Sequence, residues 1–92
     1  MVDLNKNILD AAKDATEGRM KTYGHPKNHF KLVALLWGSY LGRPVSKECV
    51  GRMMILFKIA RDAFQSNNEN LTDIAGYART LQMLKEETED AY

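Results

Sequence analysis

Lys58 and Arg61 stand one helical turn apart in a strongly apolar segment of the chain and share the side that carries Met54 and Phe57. Residues three apart lie on one helix face, and a cation bordering an apolar face needs a partner. Asp73, four residues before Tyr77, can neutralise one of them and so tie two helices together. Arg19, far upstream, brings a third cation, and three cations against one acid leave an excess. That excess suits an anion pocket. In it the Arg forks hold phosphate oxygens, Lys58 adds a point charge, and Tyr77 stacks or donates its hydroxyl. Tyr23, His25 and Asn28, clustered at a chain break, complete the candidate ligand-binding set. Each also has a plain structural use: Tyr23 as a core aromatic, His25 as a helix cap, Asn28 as a partner for local backbone.

Other residue groups point to less chemistry. His25 and His29 have the spacing of a helical metal pair, but Pro26 between them takes His25 off the helix, and no cysteine or acid lies at ligand spacing nearby. Asp10, Asp14 and Glu17 form a carboxylate row that could hold a hard cation; Lys13 and Lys21 are near enough to neutralise it as a solvated face. No metal site and no cofactor are expected. Cys49 has no activating neighbours, Ser39 no nucleophile elbow, and no Gly-rich phosphate loop is present. Met53-Met54 with Phe57 suits a core more than a ligand groove. The third helix is basic but too apolar to lie in a DNA groove, so nucleic acid is not an expected partner.

The chain is short for its task. Ninety-two residues make one domain, 1–92. A domain of this size buries only ~60–65% of its unfolded surface, so self-association is a natural remedy. One cysteine excludes an internal disulfide and suits a reducing compartment. With no apolar run of membrane-span length and no signal-peptide pattern at the start, a cytoplasmic protein is expected. The net charge is +1, yet its distribution is lopsided. Between Arg19 and Arg61 nine Lys/Arg meet one acid, Glu48, whereas from Asp62 onward seven acids meet only Arg79 and Lys85. Either the basic middle is an anion-binding face, or the acidic last helix lies upon it.

Four helices would position these groups. The first is expected over about 4–21, capped by Asp3 or Asn5, with a narrow stripe of Leu4, Ile8, Ala11, Ala12 and Ala15. Tyr23-Gly24-His25-Pro26 should end it: Gly24 tolerates positive φ, and Pro26 starts the next helix without wasting a donor. The second, about 26–41, carries Phe30, Val33, Ala34, Trp37 and Leu41, with Leu32, Leu35, Leu36 and Tyr40 making it apolar almost all round. Such a helix is central, or one face meets another subunit. Trp37 is expected in the core. Gly42-Arg43-Pro44 stops it, and Ser46 caps a third helix to about 65, with Val50, Met53, Met54, Phe57 and Phe64 on its stripe. Ser66-Asn-Asn-Glu-Asn70 reads as a loop, with Thr72 capping a fourth helix that carries Ile74, Tyr77, Ala78, Leu81 and Leu84. Residues 85–92 read as a frayed acidic tail. The fold class is all-α: a compact four-helix domain with short loops, assembled as a homo-oligomer, dimer or larger.

The ordered set Arg19, Tyr23-Gly24, Asn28-x-Phe30, Trp37, Lys58-x-x-Arg61 and Asp73-Ile-Ala-Gly-Tyr77 resembles a family of small all-α phage and prophage proteins, over roughly residues 15–80. The resemblance implies a phage-type helical protein without a known reaction, placed in the host cytoplasm if phage-encoded. More distantly, the Tyr-Gly, Lys-x-x-Arg and Asp-x-x-x-Tyr pieces are similar to a phage domain associated with nucleotide modification. A weaker likeness is to the all-α nucleotide pyrophosphohydrolases, which hold Mg²⁺ with a Glu-x-x-Glu and a Glu-x-x-Asp. Here Lys58-x-x-Arg61 stands where the first pair belongs, Asn70 stands where a Glu would precede Asp73, and Glu86-x-x-Glu89 falls in the tail. If the fold is shared, that metal chemistry is expected to be lost, which leans the reading away from an enzyme and leaves catalysis open. Two classes of function follow: a nucleotide- or phosphate-binding helical protein, or a phage accessory protein that acts by binding a host or viral protein.

Overall fold

The computed structural model describes residues 7–86, and they form four helices: α1 (Ile8–Tyr23), α2 (Pro26–Leu41), α3 (Lys47–Phe64) and α4 (Asn68–Met83). None is long and apolar enough to cross a membrane. The fourth helix is the hub. It packs extensively on both α1 and α3, while α2 rests chiefly on α3. Phe30, Ala34, Val50 and Leu84 are buried together where α2, α3 and the end of α4 meet, with Val33, Trp37, Val45, Tyr77 and Leu81 packed around them.

The breaks form as local chemistry dictates. Gly24 closes α1 at φ 83°, donating its N–H to the Met20 carbonyl. His25 then caps α2, its Nδ1 accepting from the Lys27 N–H at 3.1 Å ahead of Pro26. Ser46 caps α3 through the Cys49 N–H, 3.0 Å away.

Two helix starts differ from the sequence expectation. The helix α1 begins at Ile8, where Asn7 caps it by accepting from the Leu9 N–H at 2.7 Å. The expected caps Asp3 and Asn5, and Leu4 of its stripe, lie outside the described residues. The helix α4 starts one turn before Thr72, because the polar stretch caps itself. Asn67 accepts from the Asn70 N–H at 2.8 Å, and the Asn70 side chain donates to the Gln65 carbonyl at 3.1 Å. Thr72 therefore sits inside the helix with a buried hydroxyl that has no partner among the described residues. Leu84 of the expected stripe is buried; of the expected tail, Glu86 makes contacts described below, and residues 87–92 lie outside the described residues.

The apolar stripes are also re-sorted. Trp37 is only half-buried, at the margin of the core. The helix α3 turns Val50, Gly51, Met54 and Ile55 inward, leaving Met53, Phe57 and Phe64 exposed. A stripe read at three- and four-residue spacing can belong to either of two adjacent faces when both are apolar. Only the neighbours decide.

Candidate functional site

The three cations of the expected pocket have different nearest partners. Lys58 is paired with Asp73 across α3 and α4, Nζ to Oδ2 3.0 Å, and both side chains are largely shielded from solvent. This is the neutralising arrangement, and it leaves no free charge at Lys58. Arg61 is exposed, its guanidinium carbon 4.4 Å from the centroid of the Phe57 ring that Lys58 Nζ also approaches at 6.0 Å, beside a shallow groove that includes Phe64, Gln65 and Asn70. Asp73 of α4 thus serves Lys58 of α3, and Tyr77, one turn further along the same helix, serves Arg19 of α1.

Arg19 stays with Tyr77. Its guanidinium carbon is 4.9 Å from the ring centroid, a cation–π distance. Gly76 lies beside it: a Cβ there would meet Arg19 Nη2 at 3.5 Å and Thr16 Oγ1 at 3.8 Å, ordinary contact distances. Among the described residues no carboxylate pairs with Arg19.

Around this pair lies a cleft of about 400 Å³ bounded by α1, the α1–α2 break and α4. Tyr23 and His29 stack across its mouth, centroids 5.2 Å apart and planes 20° from parallel. His29 meets Phe30 edge-on at 5.9 Å, and Phe30 reaches Tyr77 at 6.5 Å, so a chain of rings joins the mouth to the cation. Thr16 and Thr80 line the interior, their hydroxyls donating to the Ala12 and Gly76 carbonyls at 2.7 and 2.9 Å. A second cleft of about 370 Å³ opens on the other side of Thr16 and Met20 and has no aromatic lining.

Of the eight candidate ligand residues, Arg19, Tyr23 and Tyr77 line the cleft. Tyr23 is exposed rather than a core aromatic, because Gly24 ends the helix before another element can cover it. His25 serves as the α2 cap, and its Nε2 lies 3.1 Å from Glu86. Glu86 also meets Arg79 at 3.3 Å, and its carbonyl accepts from Lys27 Nζ at 3.5 Å. The His25 hydrogen bond leads the effects holding the Glu86 carboxyl below its ordinary range. Desolvation works against it, and hydrogen bonding and charge from Arg79 assist. Glu89, the partner of Glu86 in the matched letters, lies outside the described residues. Asn28 sits half-buried in the first turn of α2, away from the cleft lining. Among the described residues no group of three or more His, Cys, Asp or Glu is placed to hold a metal ion.

His29, Thr16 and Thr80 join the cleft without having been singled out as ligand contacts. A signal existed. Thr16, Arg19, Met20 and Tyr23 follow three- and four-residue spacing on α1, as do Gly76, Tyr77 and Thr80 on α4.

A family model described as "Domain of unknown function (DUF6378)" matches residues 7–85, nearly the whole chain. The Gene 55 protein of Mycobacterium phage D29 is 40% identical over 86 residues, which cover 91% of this chain and 57% of that protein. The Gene 55 protein of Mycobacterium phage L5 is 37% identical over 91 residues, covering 94% of this chain and 57% of that protein. The chain therefore spans little more than half the length of these curated relatives. No solved structure matches it. The likeness to phage proteins holds in this coarse form.

Proposed function

We propose that this chain, which belongs to the DUF6378 family, binds a nucleotide or similar aromatic phosphate ligand in the Arg19–Tyr77 cleft as a phage-type protein of the host cytoplasm. The observation that carries the reading is the Arg19 guanidinium laid over Tyr77 at the wall of a cleft whose mouth is the Tyr23–His29 stack. A guanidinium presents five donors in a planar fork that matches phosphate oxygens. Aromatic faces give a base a stacking surface worth ~1–3 kcal/mol each. The cleft's volume, about 400 Å³, lies within the ~300–1,000 Å³ common for small-ligand sites. Arg19 would hold the phosphate and Tyr23 or His29 the base. No reaction is assigned, since the cleft lining contains no carboxylate.

The test is a thermal titration of the parent chain and of Arg19→Ala with ATP, dNTPs and inorganic phosphate. Nucleotide at tenfold its Kd would stabilise the parent by about 1.4 kcal/mol, a rise of roughly 5–10 °C for a domain of this size. Arg19→Ala should lose the rise while keeping its unliganded melting point within a few degrees. A parent indifferent to all three at millimolar concentration would retire the cleft and favour a protein that acts by binding a host or viral partner.

A further inference from the structure

The outward side of the α2–α3 hairpin is apolar where a solvated helix pair would be charged. On α2 the residues turned from the core are Leu32, Leu35, Leu36 and Tyr40, the last 91% exposed; on α3 they include Met53 and Leu56, the latter 63% exposed. Along α3 the stripe Cys49, Met53, Leu56, Ala60 and Ala63 alternates steps of four and three, the spacing of a helix–helix seam. All five are exposed, and the residues opposite them, Val50, Met54 and Lys58, face the rest of the domain. The stripe sets two large side chains, Met53 and Leu56, between the small Cys49 and the small pair Ala60 and Ala63, so a facing helix can approach closely at both ends.

From this face we infer that the exposed side of α2 and α3 packs against the same side of a second copy, forming a two-fold homodimer. The size of the patch argues for a second copy. At their observed exposures, the four α2 residues with Met53 and Leu56 offer roughly 700 Å² per protomer, close to the ~800 Å² that each partner contributes to a standard interface. Monomeric proteins rarely leave a contiguous apolar patch beyond a few hundred Å² in water. The shape argues likewise. A two-fold operation sets the apolar side of each copy against the identical side of the other and covers both at once. The cleft of Arg19 and Tyr77 lies between α1, α4 and the start of α2, on other surfaces, so dimerisation and ligand binding can be tested separately.

Sedimentation equilibrium of the 92-residue chain at micromolar concentration should report twice the 10.5 kDa protomer mass. Leu36→Glu and Leu56→Glu, both exposed in the protomer, should each give a helical monomer by sedimentation and circular dichroism. Cys49 supplies a second reading on the unmodified chain. It is exposed in the protomer and lies in the stripe, so its reaction rate with a maleimide should rise at least tenfold on dilution through the dissociation constant. That reading decides if the Glu variants do not fold. A single 10.5 kDa species at every concentration would overturn the inference and leave the face to a different protein. So would a dimer that both Glu variants preserve, or a Cys49 rate unmoved by dilution.

Discussion

Lys58 of α3 and Asp73 of α4 meet at 3.0 Å, and this pair ties the two most extensively packed helices together through charge as well as apolar contact. Each side chain is three-quarters or more shielded from solvent, so neither charge is cheaply left alone.

Asp73→Ala should therefore destabilise the protein by about 1–3 kcal/mol, less than a fully buried pair would lose. Replacing both partners by apolar residues, Lys58→Met with Asp73→Leu, should restore most of that loss, because no unpaired charge remains. Urea unfolding of the two variants against the parent checks the asymmetry. Equal stability of Asp73→Ala and parent would show that the pair contributes nothing.

Thr72 separates two accounts of α4. As an N-cap, its loss would cost ~1 kcal/mol. Inside the helix, with its buried hydroxyl unpartnered, Thr72→Val should be neutral or stabilising by up to about 1 kcal/mol. A falling melting point for Thr72→Val would mean the hydroxyl has a partner.

Two glycines should answer alanine in opposite ways. Gly18 is exposed within α1 and a Cβ there meets nothing within 4 Å, so Gly18→Ala should stabilise by ~0.5–1 kcal/mol through helix propensity. A Cβ at Gly38 would stand 2.9 Å from the Arg43 carbonyl oxygen, which is backbone in the α2–α3 turn. Gly38→Ala should cost about 1–3 kcal/mol, as overpacking against a part that cannot swing aside. Chemical denaturation of both variants distinguishes the sites.

Acid should weaken the contact between the end of α4 and the start of α2. Since the Glu86 carboxyl is held below its ordinary range in the folded state, mainly by the His25 hydrogen bond and then by Arg79, its stabilisation is complete above the ordinary glutamate pKa. It is lost as pH falls through the lowered folded value. Glu86→Gln should melt roughly 1–3 °C below the parent at neutral pH, and the difference should close below about pH 4.3. A gap that persists at pH 3 would point to packing rather than charge.

Much of this architecture is legible in the chain because its breaks are made of residues with narrow conformational use. Gly24, Pro26, Gly42 and Ser46 mark the ends of α1, α2 and the start of α3 through backbone geometry and capping alone, with no help from distant contacts. Where a stretch offers several capping groups the sequence is ambiguous: Asn67, Asn70 and Thr72 could each begin α4, and the bonds from Asp62 and Gln65 to this stretch decide in favour of Asn67. The site shows the same division. Arg19, Lys58, Arg61, Asp73 and Tyr77 could be recognised from type and helical spacing, but spacing reports only which residues share a face of one helix. Which face meets which neighbour depends on the rotation of α4 between α1 and α3. Gly76 and Tyr77 lie against Arg19 of α1, and Asp73, one turn earlier, engages Lys58 of α3. A one-dimensional pattern carries no information on that rotation, and packing alone gives Asp73 to Lys58 and Tyr77 to Arg19.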